Sequence, residues 1–200
     1  MPELAHGGVA LSLLLCHTTT VPKEIHLNKI ITALAATLMT AFPATAGVME
    51  DHETLWNTLQ DAGVKVAANA DDCKDDFHGY YNRREVRLVV CQDNGRPGGA
   101  QVAWTANDLD TLRHEAHHVI QDCMLGGIGD MRSDTYFSHD RLKDFLTKSS
   151  LTAINMENIV KSYKEDGASD EVIIMELEAF AVASDVDAGT IATAVSRYCM

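Results

Sequence analysis

From Thr105 to the C-terminus the chain keeps a helical period, and no other feature of the sequence restricts its architecture as much. Leu109, Leu112, Ala116, Val119 and Cys123 fall on one stripe of a helix that Thr105 or Asn107 can cap and Gly126-Gly127 can end. Further helices are expected over 140–148, 152–165, 170–185 and 190–198, with breaks at Gly167 and Gly189. Upstream the pattern differs. Leu55, Trp56, Leu59 and Ala62 have helical spacing, Gly63 stops that helix, and Val64-Lys65-Val66 is β-prone. Residues 80–91 read as one strand, with Val86, Leu88 and Val90 on one face and Arg87, Val89 and Cys91 on the other. After the loop 94–99, Gln101–Trp104 is a last strand or an extended entry to the long helix. The fold class expected is α+β, a small N-terminal β-sheet region followed by helices.

The first 46 residues belong to a different kind of segment. An uncharged run from Ile30 to Phe42 follows Lys29 and precedes Pro43-Ala44-Thr45-Ala46, the three parts of a secretory signal with cleavage after Ala46. The run is shorter than the roughly 20 apolar residues that cross a bilayer, so no stable membrane span is expected after cleavage. The long stretch before Lys29 is unusual for a leader, and the true start is expected downstream of Met1. The chain thus divides into a leader, 1–46, and one domain, 47–200, with a secreted or periplasmic location.

Cysteine parity agrees with export. Of the five cysteines, Cys16 leaves with the leader, and Cys73, Cys91, Cys123 and Cys199 remain as an even set. Four cysteines allow three connectivities. The pairing Cys73–Cys91 with Cys123–Cys199 is favoured because each bond ties neighbouring elements, although spacing alone does not fix it.

Charge excludes some partners. The leader carries Glu3, Lys23, Glu24 and Lys29, so the net −13 of the whole chain stays on the domain. Such a surface repels phosphate polymers and anionic lipid, which argues against nucleic acid and leaves basic or neutral partners. Asp71, Asp72, Asp75 and Asp76 around Cys73 lack the alternating ligands and glycine of a calcium loop and read as a solvated acidic turn.

The chemistry-bearing motif is His114-Glu115-Ala116-His117-His118. Histidines four apart project from one face of a helix, within reach of one ion, and the glutamate beside them can take a proton from a metal-activated water that attacks a carbonyl. The apolar stripe lies on the side away from His114, so the pair is expected to face a cleft. His117 points away from His118 and reads as a supporting or surface residue. Gln121, one turn beyond His118, reads more readily as an exposed glutamine than as a hydrogen-bond partner near the site. A catalytic zinc takes a third protein ligand. Glu176 and Glu178 lie on an otherwise apolar helix, where a carboxylate is costly unless paired or metal-bound. They are about 200° apart around the axis, so only one can face the ion.

With these residues in place, the chain resembles a zincin metallopeptidase of the gluzincin type. His114-Glu115-x-x-His118 stands for its active-site helix, and Glu176-x-x-Ala179 is similar to the downstream E-x-x-A-D helix whose first glutamate binds zinc. The sequence departs from that pattern at Phe180, where an aspartate often sits behind a ligand histidine, and Glu178 therefore stays open as the third ligand. The resemblance covers roughly 84–182. It implies a minimal zincin-like domain holding Zn2+ on His114, His118 and Glu176 (alternative Glu178), with Glu115 as general base and a peptide or protein as substrate. It also implies that the strand 84–91 is the sheet edge along which an extended peptide lies. Tyr136, His139 and Tyr163 carry donors suited to an oxyanion, and nothing in the spacing selects one. An alternative is an exported zincin-like module that binds metal or a partner without turnover.

Overall fold

The computed structural model describes residues 45–74 and 78–200. The expected leader and Cys16 lie outside them, apart from Thr45 and Ala46, as do Asp75 and Asp76 of the acidic turn. Among the described residues the chain is α+β, with six helices and a three-stranded sheet.

Helix α1, Thr45–Asp61, buries Leu55 and Leu59 completely. Gly63, at φ +88°, takes the left-handed conformation that lets the chain leave the helix and enter strand β1, Lys65–Ala68. Strands β2, Gly79–Asn82, and β3, Arg87–Val90, follow. The sheet order is β1-β3-β2, with β1 parallel and β2 antiparallel to β3. The single strand expected over 80–91 is therefore a hairpin. Its turn is made where the run becomes polar: the Asn82 side chain accepts from the Glu85 N–H at 3.2 Å, the Val86 N–H reaches the Arg83 carbonyl at 3.2 Å, and Val86 sits at φ +49°. Gln101–Trp104 is the extended entry rather than a strand; the Gln92 side chain brackets Val102 there, accepting from its N–H at 2.8 Å and donating to its carbonyl at 3.0 Å.

Helix α2, Ala106–Cys123, opens with a reciprocal capping box between Thr105 and Asp108. Helices α3, His139–Lys148, α4, Ala153–Glu165, α5, Asp170–Asp185, and α6, Ala188–Cys199, follow close to the expected spans. Gly167 ends α4 at φ +81° as expected. Gly189 does not break the chain. It lies in the first turn of α6, which Asp187 caps by accepting from the Thr190 N–H at 2.8 Å, and the break falls at Val186.

Helix α2 runs through the middle. Its stripe of Leu112, Ala116, Val119 and Cys123 joins α1, α6 and the inner face of β3 in the main core, and α5 packs along its other side. A second core holds α4 and α5 together through Ile159, Tyr163, Ile173 and Ala181. Behind the sheet, Val89 packs on the Cys73–Cys91 disulfide, while Cys123–Cys199 joins the end of α2 to the end of α6. Both bonds follow the favoured pairing, and two disulfides are the mark of a chain that folds outside the reducing cytoplasm. Among the described residues no helix is long and apolar enough to cross a membrane.

Candidate metal centre

The α2–α5 contact makes the site. One turn of α2 sets His114 Nε2 3.1 Å from His118 Nε2. Helix α5 brings Glu176 Oε2 to 3.3 Å from the first and 3.4 Å from the second. His114, His118 and Glu176 are the only group of three potential metal ligands that converge among the described residues. A tetrahedral zinc with bonds of about 2.0–2.1 Å holds its ligand atoms about 3.3–3.4 Å apart, so the triangle has the size such an ion needs.

This face of α2 is covered, not open. The side chains of His114, His118 and Glu176 are 12%, 11% and 15% exposed, because α5 lies against them and the Phe180 ring sits 4.4 Å from the His114 ring. The expectation of a cleft-facing pair is corrected to a nearly enclosed one. A helix with an apolar stripe on one side can still be covered on the other when the covering helix brings its own polar groups.

Charge is arranged around the triangle. Burial opposes ionisation of Glu176, but His118 and His114 outweigh it and hold the carboxyl well below the usual carboxylate range. Burial alone pushes His118 down; the Glu176 charge and hydrogen bond reverse this and raise it to about 9. Glu115 is buried beside them, and desolvation pushes its carboxyl up despite the two histidines. The Tyr81 backbone, on strand β2, favours the charged form of that carboxyl. Strand β2 can run this close only because residue 79 is glycine, whose Cβ would stand 2.6 Å from both Thr111 Cγ2 and the Val89 carbonyl.

The other candidates are dispersed. Glu178, on the far side of α5 from Glu176, is wholly buried and faces away from the triangle. It accepts from Gln121 Nε2 at 2.8 Å, the Tyr136 N–H at 3.0 Å and the Phe137 N–H at 2.7 Å. His117 Nε2 is 3.2 Å from Glu178 Oε2, and burial holds that imidazole below its ordinary value. Tyr136 packs on His117, on this second side, and His139 is exposed at the start of α3. Of the three oxyanion candidates only Tyr163 reaches the triangle, where its hydroxyl donates to Glu176 Oε2 at 2.7 Å. Burial and the Glu176 charge push that phenol up, so it stays a donor.

Two expectations need correction. Gln121 is fully buried, with Oε1 2.8 Å from His118 Nδ1, because α5 covers the helix face that the sequence left open. Its position one turn beyond His118 was the signal for this contact. The strand 84–91 is not a sheet edge, since β3 is hydrogen-bonded on both sides, and the edge beside Glu115 is β2.

No curated protein and no solved structure matches this chain. A family model does, over residues 44–200, and the chain belongs to the family described as Domain of unknown function (DUF8637).

Proposed function

We propose that the domain is an exported, secreted or periplasmic, zinc-dependent peptidase in which His114, His118 and Glu176 hold the metal and Glu115 is the general base. The observation that carries this reading is the ligand triangle with edges of 3.1, 3.3 and 3.4 Å. Bound there, zinc supplies a Lewis acid that polarises a peptide carbonyl and acidifies a water molecule.

The residues of the chain do the rest. Glu115 takes a proton from the attacking water at its carboxylate and passes it to the leaving amine, a role suited to a carboxyl whose proton affinity burial has raised. The Tyr81 backbone favours the charged form of that carboxyl, and the Tyr163 hydroxyl keeps Glu176 in place. The edge of β2 beside Glu115 offers backbone groups to an extended peptide or protein substrate. The net charge of −13 favours substrates with Lys or Arg near the scissile bond.

The small exposure of the three ligands also supports a second reading, a module that holds zinc or binds a partner without turnover. Metal analysis of the purified chain, with hydrolysis of a peptide library by wild type and Glu115→Gln, separates the two. The peptidase predicts about one zinc per chain and a cleavage that Glu115→Gln abolishes while zinc stays bound. Zinc without hydrolysis selects the module, and a chain that takes up no zinc rejects the peptidase and the zinc-holding form of the module.

A further inference from the structure

The two histidines of the triangle are supported unequally. His114 Nδ1 is buried with no hydrogen-bond partner, whereas His118 Nδ1 lies 2.8 Å from Gln121 Oε1. The Gln121 side chain has only one orientation open to it. Its Nε2 is 2.9 Å from the Met175 carbonyl, which can only accept, and 2.8 Å from Glu178 Oε2, on a carboxylate that already receives the Tyr136 and Phe137 N–H groups. Both amide protons are therefore spent on α5, and Oε1 must face His118 as an acceptor.

We propose that Gln121 is a positioning residue that fixes the tautomer of His118: it holds the proton on Nδ1 and so aims the Nε2 lone pair at His114 and Glu176. The assignment rests on the zinc reading of the triangle. A ligand histidine whose second nitrogen donates to a fixed acceptor keeps both its ring orientation and its basicity, and loss of such a partner costs about 10–100-fold in metal affinity. Because His114 has no such partner, Gln121 carries this role alone. It also ties ligand geometry to the packing of α5, since Met175 and Glu178 on that helix set the amide.

The test is zinc affinity of the full chain, measured by competition with a chromophoric chelator and accompanied by the absorption spectrum of the cobalt-substituted protein. Gln121→Leu is expected to weaken zinc by about 10–100-fold and alter the cobalt spectrum. Gln121→Glu keeps an acceptor toward His118 but sets its other oxygen against the Met175 carbonyl and Glu178, so it is expected to lower stability while binding zinc more tightly than Gln121→Leu. Thr105→Ala weakens the same helix at its opposite end and is expected to leave zinc affinity unchanged. If Gln121→Leu binds zinc within threefold of wild type, or Thr105→Ala loses as much, the positioning role is overturned and the zinc reading survives. If the wild type binds no zinc, the zinc reading itself fails, and the positioning role with it. Should Gln121→Leu not fold, proton and nitrogen-15 spectra of the histidine-labelled, zinc-loaded wild type decide the matter: an Nδ1 proton of His118 shifted downfield of that of His114, as a hydrogen bond to Gln121 requires, supports the assignment, and equal shifts overturn it.

Discussion

The ring of Phe180 lies 4.4 Å from the ring of His114 and is tilted 53° to it, and His114 Nδ1 is buried without a hydrogen-bond partner. An apolar ring thus packs on an imidazole whose second nitrogen meets no acceptor. Phe180 also packs with the α4–α5 core, so an acceptor there would give up apolar contact.

Phe180→Asp is expected to tighten zinc about tenfold by giving His114 Nδ1 an acceptor, while lowering stability by about 2 kcal/mol through lost burial. Phe180→Ala removes the same contact without offering an acceptor and should leave affinity near wild type. Equal zinc affinities for the two variants, by chelator competition, would count against the argument.

Glu176 and Glu178 are two residues apart and predict opposite phenotypes. Glu178→Ala strips the acceptor from Gln121, Tyr136 and Phe137 in a dry interior, and is expected to cost about 3–5 kcal/mol in urea unfolding of the metal-free chain. Glu176→Ala removes one corner of the triangle and is expected to abolish zinc binding with the fold retained. Zinc binding that survives Glu176→Ala would remove Glu176 from the ligand set.

The disulfides differ in the length of chain they close, with sequence separations of 76 for Cys123–Cys199 and 18 for Cys73–Cys91. Loop-closure entropy puts their contributions at about 4.5 and about 3 kcal/mol. Denaturant unfolding of the two paired Cys→Ser variants should therefore rank the loss of Cys123–Cys199 as the more damaging. The reverse order would mean that residual structure in the unfolded chain dominates.

Acid should weaken the start of α6. The Thr190 backbone N–H and hydroxyl hold the Asp187 carboxyl below its ordinary value. A lowered folded-state value means that this cap stabilises fully above the unfolded-state value and fades as pH falls through the folded one. Asp187→Ala is expected to cost about 1 kcal/mol at pH 7 and progressively less below pH 4. A difference independent of pH would show that the charged form contributes nothing to the cap.

Much of this protein follows from short-range rules that a sequence carries openly. Helix spans come from the 3.6-residue period, the Thr105 cap from one hydroxyl next to an apolar stripe, and the shared face of His114 and His118 from a four-residue step. The pairing of the cysteines was only favoured there, and Cys123–Cys199 joins residues 76 apart in sequence. The turn at Asn82–Val86 was also written there, in a run of polar residues, but alternation on either side of it concealed the hairpin.

What the sequence by itself determined was the set of elements and the pair of histidines. Only the tertiary structure decided what those histidines meet. Glu176 and Glu178 are equivalent by composition and neighbours in sequence; the rotation of α5 against α2 turned one toward the imidazoles and buried the other among backbone N–H groups. The same docking covered Gln121, and the order of three strands made β2 the edge beside Glu115. These outcomes depend on how one surface packs against another distant in sequence, and no local period encodes that angle.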